Sequence, residues 1–237
     1  MTLSYQQSRV LETRSAVLTT FVVALLAYLC LWGVLRYVAD AAELSPLLRQ
    51  LLFKGSLAAL AMAGWLLTGR SYVQMGIARA RPGSARLRWY AIAALSMGIG
   101  SMLGVALHIE HPAAAGMSPL QMIAVLWLFG SAAEELFTRG FAQSMMIAAA
   151  GERWKSLVIV LSAALFSAMH LPILISGVGI AGSLIVLGST FLLGTVAACA
   201  RACTGSVSHA IGVHIVGNMA AVPFGAMALA IQDWLTH

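Results

Sequence analysis

Charge is what this sequence has least of. Asp, Glu, Lys and Arg make up only 9% of its 237 residues, against about 25% in a soluble domain. Fourteen basic and eight acidic side chains cannot cover a water-facing surface of this size, so ordinary soluble enzymes and disordered chains are excluded. Cysteine is scarce too. Cys30, Cys199 and Cys203 lie in or at the end of apolar stretches and form no Cys-x-x-Cys pair. This excludes a disulfide scaffold and a cysteine metal site, and the three read as buried spectator thiols. There is no soluble domain, low-complexity tract or long linker, and no repeat relates the two halves as it does in many transporters. The helical zinc-protease pattern His-Glu-x-x-His is also absent.

What fills the chain is hydrocarbon: 60% of residues are hydrophobic and the mean hydropathy is +0.89. About 20 apolar residues cross about 30 Å of bilayer, and runs of that kind fall at 17–38, 50–69, 89–108, 119–142, 155–171, 178–200, 204–220 and 221–236. The fold class is therefore all-α, a polytopic integral membrane protein of about eight transmembrane helices. Only Val222-Pro223-Phe224-Gly225 separates the last two runs. Ser118-Pro119 supplies an N-cap with proline at the first helical position. The first run has Arg9 and Arg14 before it but is too long for a secretory leader and lacks a small-x-small cleavage site, so it reads as a retained anchor.

Orientation follows from Lys and Arg. Ten fall on one set of alternating segments: Arg9, Arg14, Arg70, Arg79, Arg81, Arg86, Arg88, Arg153, Lys155 and Arg201. Three fall on the other, Arg36, Arg49 and Lys54, while Arg139 lies within a run. The N-terminus is thus expected in the cytoplasm and the chain in a cell membrane as a multi-pass protein, the cytoplasmic membrane in a bacterium. The basic residues are topology signals at lipid headgroups, so no nucleic-acid partner is expected; the partner is the bilayer. An even number of spans returns the last residues to the cytoplasmic side.

An ionisable group at mid-bilayer costs about 2.5–3.5 kcal/mol on insertion scales and calls for a function. Three clusters are of this kind: Glu134-Glu135-x-x-x-Arg139, Phe166-x-x-x-His170 and His214-x-x-x-Asn218. Four residues bring Glu135 and Arg139 to within about 40° on a helix, where they can pair. Glu134, about 140° from Arg139, faces whatever the bundle encloses and could serve as a general base. His214 and Asn218 share a face and can point at one centre. Counted along ideal helices, Glu134, His170 and His214 spread over roughly 14 Å of depth, so their meeting is permitted without being required. Gly182, Gly188 and Gly194 read as small-residue packing positions, His209 as a helix-start or interface residue, and His108, Glu110 and His111 as a solvated loop.

In order and spacing, these clusters resemble the CPBP family (CAAX prenyl proteases and bacteriocin-processing, Abi-type proteins), with its Glu-Glu-x-x-x-Arg, Phe-x-x-x-His and His-x-x-x-Asn. Phe191-Leu192-Leu193-Gly194, Arg201 and Thr204-Gly205-Ser206 resemble its connecting text. Two positions depart from it: Thr138, often aromatic in the family, and Val207-Ser208-His209, often Trp-Pro-like. The resemblance divides the chain into an N-terminal three-helix membrane region at 1–118, a catalytic helix core at 119–220 and a C-terminal transmembrane helix at 221–237. It implies an intramembrane endopeptidase acting on a membrane-associated peptide or lipidated protein. Glu134 would activate water with help from His170, His214 and Asn218 would position the carbonyl or stabilise the oxyanion, and Glu135 and Arg139 would support the helix. The implied cofactor is either none or a divalent metal such as zinc, for which Glu134, His170 and His214 are the candidate ligands. The alternatives are a non-catalytic regulator or immunity protein of the same fold and, with less support, an ion-coupled transporter.

Overall fold

A computed structural model describes residues 5–77, 86–109 and 116–236. Arg79, Arg81 and Pro82-Gly83 of the basic loop, and Glu110 and His111 of the other, lie outside these. Every long element is a helix: α1 Tyr5–Ala41, α2 Pro46–Thr68, α3 Arg86–Ala106, α4 Pro119–Ala150, α5 Lys155–Ala168, α6 Gly179–Thr204 and α7 Val207–Thr236. Among the described residues seven helices are long and apolar enough to cross a membrane, with Leu171–Ile175 continuing α5 as a tighter turn. Their outer surface is apolar, with Leu66, Leu103 and Leu184 more than two-fifths exposed. Such a surface suits lipid, and the protein is a multi-pass membrane protein.

The runs at 204–220 and 221–236 form one helix rather than two. Pro223 sits inside α7 without ending it. A proline removes one helical hydrogen bond, which a membrane helix tolerates when neighbouring groups satisfy its backbone. α3 lies along α7 in the most extensive helix contact of the fold, and Ser101 Oγ of α3 donates to the Ala221 carbonyl at 2.7 Å, two residues before the proline. Seven crossings put Trp234 on the side opposite Arg14, not back with it. The cysteines also differ from expectation. All are free, but Cys30 and Cys203 are exposed on the helix exteriors and Cys199 is only partly covered, because each lies on a face turned away from both cores.

There are two cores. One joins α1, α2, α4 and α5 through Tyr28, Leu57, Phe137, Met146 and Leu165. The other joins α3, α5, α6 and α7 through Ala93, Phe166, Leu193, Ala197 and Val213. α4 runs along their seam and is irregular there. Ser118 opens it with a reciprocal capping box to Gln121, and Gly151, at φ +65°, ends it. Between these ends, Met122–Gly130 and Leu136–Ala142 are wound with i→i+5 bonds, on either side of Ser131–Glu135. Such wide turns are frequent at functional sites. Hydroxyls satisfy carbonyls of the second wide turn: Thr138 Oγ1 donates to Glu134 O at 2.6 Å and Ser144 Oγ to Arg139 O at 3.1 Å.

Small residues let α6 close on the seam, though only some of those expected. A side chain at Gly194 would meet Ala163 Cα, an Arg139 guanidinium nitrogen and Phe166, each at 3.2 Å, and one at Gly182 would meet Val178 and Ile109. At Gly188 nothing lies within 4 Å; that glycine faces outward. Gly194→Val is therefore expected to cost about 1–3 kcal/mol by overpacking and to lower the thermal midpoint in detergent, while Gly188→Ala leaves it unchanged. Parallel unfolding curves of the two variants check this.

Candidate active site

The buried polar groups gather on the inner face of α4. Arg139 is fully buried. Its guanidinium donates to Glu135 Oε1 at 3.0 Å, Thr138 Oγ1 at 2.7 Å and the Gly194 carbonyl at 2.7 Å. The Arg139–Glu135 pair expected from their spacing is present. The carbonyl of Gly194 is within reach because that residue has no side chain. Thr138, where the family often has an aromatic, links Arg139 to the carbonyl of Glu134. The guanidinium carbon also stands 4.7 Å from the centre of the Phe166 ring.

Phe166 carries the arrangement to the histidines. Its ring packs edge-on against His170 at 5.2 Å and His214 at 5.1 Å between centroids. His170, at the end of α5, has Nδ1 3.0 Å from the Phe166 carbonyl. As that oxygen can only accept, Nδ1 carries the proton and a neutral His170 keeps Nε2 as an acceptor. His214 sits on α7 with Nδ1 3.0 Å from Glu135 Oε1 and Nε2 3.8 Å from Glu134 Oε2. One turn on, Asn218 donates to Ser131 Oγ at 3.1 Å. Counted along ideal helices the three groups spread in depth, yet they line one cavity; of the counted stretches, Pro119 to Glu134 includes the wide turn Met122–Gly130, which departs from the 1.5 Å rise.

Sequence reasoning missed one group in the centre. Lys54 of α2 forms an ion pair with Glu134 Oε1, its side chain only 12% exposed. It was counted as a headgroup charge because it lies near the start of its run. The signal was there, in a lysine followed by apolar sequence to Leu67. Tyr28 of α1 was missed too; it is buried and its hydroxyl donates to the Met169 carbonyl beside His170. His209 is the interface residue it was expected to be, Nδ1 lying 3.1 Å from the Tyr90 hydroxyl of α3.

Glu134, His170, His214 and Asn218 all line one cavity of about 1100 Å³, together with Tyr28 and Lys54. Whether a metal fits can be read from the donors. Among the described residues no three His, Cys, Asp or Glu side chains converge as a metal-binding group. The ammonium of Lys54 occupies Glu134 Oε1, and Nδ1 of His214 is turned to Glu135. As arranged, Glu134, His170 and His214 do not fit a zinc ion, and no step is drawn through one.

Residues 116–220, somewhat under half of the chain, match the family described as type II CAAX prenyl endopeptidase Rce1-like. That match agrees with the resemblance to the CPBP family carried by the three motifs. The matched segment holds Glu134, His170, His214 and Asn218, and both departures fall within it. No curated protein and no solved structure matches the chain. Lys54 and Tyr28, which complete the walls of the cavity, lie outside the matched segment.

Removing one partner of a buried ion pair costs about 3–5 kcal/mol because the other is left uncompensated. Lys54→Met is expected to destabilise the protein by an amount of that order, and adding Glu134→Gln to recover most of it. Thermal unfolding of the two single variants and the double variant in detergent measures the coupling.

Proposed function

We propose that the protein is an intramembrane endopeptidase in which Glu134 activates water for attack on a peptide bond of a membrane-associated substrate. The observation that carries this reading is the convergence of Glu134, His170, His214 and Asn218, from three separate helices, on one cavity. The match of residues 116–220 to a CAAX endopeptidase family supports peptidase chemistry.

The 3.8 Å between Glu134 Oε2 and His214 Nε2 is too long for a hydrogen bond and suits a bridging water. Glu134 takes a proton from that water as its oxygen bonds to the carbonyl carbon, and His170 Nε2 accepts a hydrogen bond from the O–H that remains. The carbonyl oxygen becomes an oxyanion. Asn218 Nδ2 and a protonated His214 Nε2 donate to it; donors fixed before reaction act most strongly in a site that excludes water. The intermediate collapses, the C–N bond breaks, and Glu134 returns its proton to the leaving amine. The products are a carboxylate and an amine, and Glu134 is again ionised. Glu135 takes no part in the proton transfer: it orients His214 through Nδ1 as Arg139 orients Glu135.

Glu134→Gln is expected to abolish cleavage, and Asn218→Ala to slow it about 10²–10³-fold, the usual effect of losing one oxyanion donor. The test is terminal-peptide mass spectrometry on membranes holding equal amounts of folded wild type or variant. New protein termini found only with the wild type identify substrate and cleaved bond. If Glu134→Gln produced the same termini and biological effect as wild type, the reading would give way to a non-catalytic regulator.

A further inference from the structure

The cavity is one-sided. The helices alternate in direction, so one face of the bundle gathers the ends of α1, α3, α5 and α7 and the starts of α2, α4 and α6. Most lining residues belong to the half of their helix nearer that face, Asp40 at the end of α1, Arg49 and Gln50 at the start of α2, Met122 at the start of α4 and Ser176 just past α5 among them, while Leu193, His214, Asn218 and Ala221 reach it from mid-helix or beyond. The other half is filled by the two apolar cores and by buried polar contacts. There Arg201 donates to Ser144 and to the Gln74 carbonyl, and Gln143 to the Ala198 carbonyl. Glu134 and His214 therefore form the floor of a pocket closed behind them.

The two faces differ in charge. Among the described residues the segments of the closed face hold Arg9, Arg14, Arg70, Arg86, Arg88, Arg153 and Lys155, with Arg201 turned inward. Arg14 and Arg153 both stack on Trp154, 4.5 and 5.7 Å from its ring, which places the start of α1 and the α4–α5 turn on that one face. On the open face Lys54 is withdrawn from the count, because it pairs with Glu134 in the interior. Only Arg36 and Arg49 remain, both ion-paired with Asp40. Basic segments stay in the cytoplasm.

We propose that the pocket opens away from the cytoplasm, so that the substrate is an extended apolar peptide segment entering from the outer side of the membrane. This rests on the endopeptidase reading and names the substrate class that the site accepts. From Tyr28 beside the floor to Asp40 at the rim, twelve residues of α1 rise about 18 Å, which an extended strand covers in about five to six residues at roughly 3.3 Å each. Between floor and rim the walls are apolar, with Trp32, Leu35, Val105, Leu126 and Val186. The Arg36–Asp40–Arg49 cluster at the rim meets the polar residues that follow such a segment.

The test needs no substrate. With Cys30, Cys199 and Cys203 each changed to alanine, one cysteine is introduced at a time: Gln50→Cys or Ser176→Cys at the rim, Val186→Cys in the wall, and Arg153→Cys on the closed face. A membrane-impermeant charged thiol reagent is added to right-side-out and to inside-out vesicles. The expected result is modification at positions 50, 176 and 186 in right-side-out vesicles and at position 153 only in inside-out ones. The reverse pattern overturns the proposal, and so does labelling of the rim without position 186, which would mean a pocket closed to that face. Using Gln50 and Ser176 on separate elements guards against one variant failing to fold. Labelling does not depend on catalysis, so Glu134→Gln should label identically, and failure of the endopeptidase reading shows separately as unchanged termini. Where termini do change, cleaved bonds within about six residues of the outer end of an apolar segment support the proposal; bonds in cytoplasmic tails overturn it.

Discussion

The guanidinium of Arg139 is the group on which the rest of the site depends. Taking a cation from water into the interior is tolerated only when geometry and hydrogen bonds repay the desolvation. Here one side chain reaches the carboxylate of Glu135, the hydroxyl of Thr138 and the backbone of α6, and its plane covers Phe166. Each contact fixes something further out. Glu135 sets the ring of His214, Phe166 is wedged against both histidines, and α6 is drawn in at a residue with no side chain. Three helices are positioned by one fork of donors.

The seam between the two cores shows how a bilayer protein accommodates polar chemistry. Hydrocarbon offers no partner to a stray carbonyl, so the wide turns of α4 would be costly if their freed acceptors were left open. Thr138 and Ser144 close them from within the same helix. Ser101 adds a donor across helices to the Ala221 carbonyl of α7. The irregular backbone is confined to places where the protein supplies its own donors, and the cavity lies where α4 departs from regular winding.

Much of this was legible in the residues. A chain so poor in charge had to be a helical membrane protein, and the intervals Glu135–Arg139 and His214–Asn218 placed each pair on one helix face. The pairing of Glu135 with Arg139 followed from spacing alone. Harder to read was anything set by packing between distant segments. Lys54 is 80 residues from its partner, and nothing local separates a lysine at the lipid surface from one turned inward. Pro223 suggested a break, but a proline's effect is decided by its surroundings, here the long packing of α7 against α3. Gly182, Gly188 and Gly194 are spaced alike, yet only two of them meet a neighbour, since which face of α6 is covered depends on where α4 and α5 lie. The depth of Glu134 was hard to read for a related reason: a constant rise per residue was applied across Met122–Gly130, which is wound wider.

The Lys54–Glu134 contact has a consequence for how charge moves during turnover. Lys54 and Arg139 are cations and Glu134 and Glu135 anions, and the protonated His214 of the proposed reaction adds one more cation. In that reaction Glu134 becomes neutral as a negative charge appears on the substrate oxygen. The anion is relocated across a few ångströms while the sum does not change. In a medium where an isolated charge is expensive, a centre that exchanges the site of its anion without changing its total avoids adding an uncompensated charge at any stage. A lysine outside the family segment would thus let a glutamate remain ionised at rest and surrender its charge only when another group takes it up.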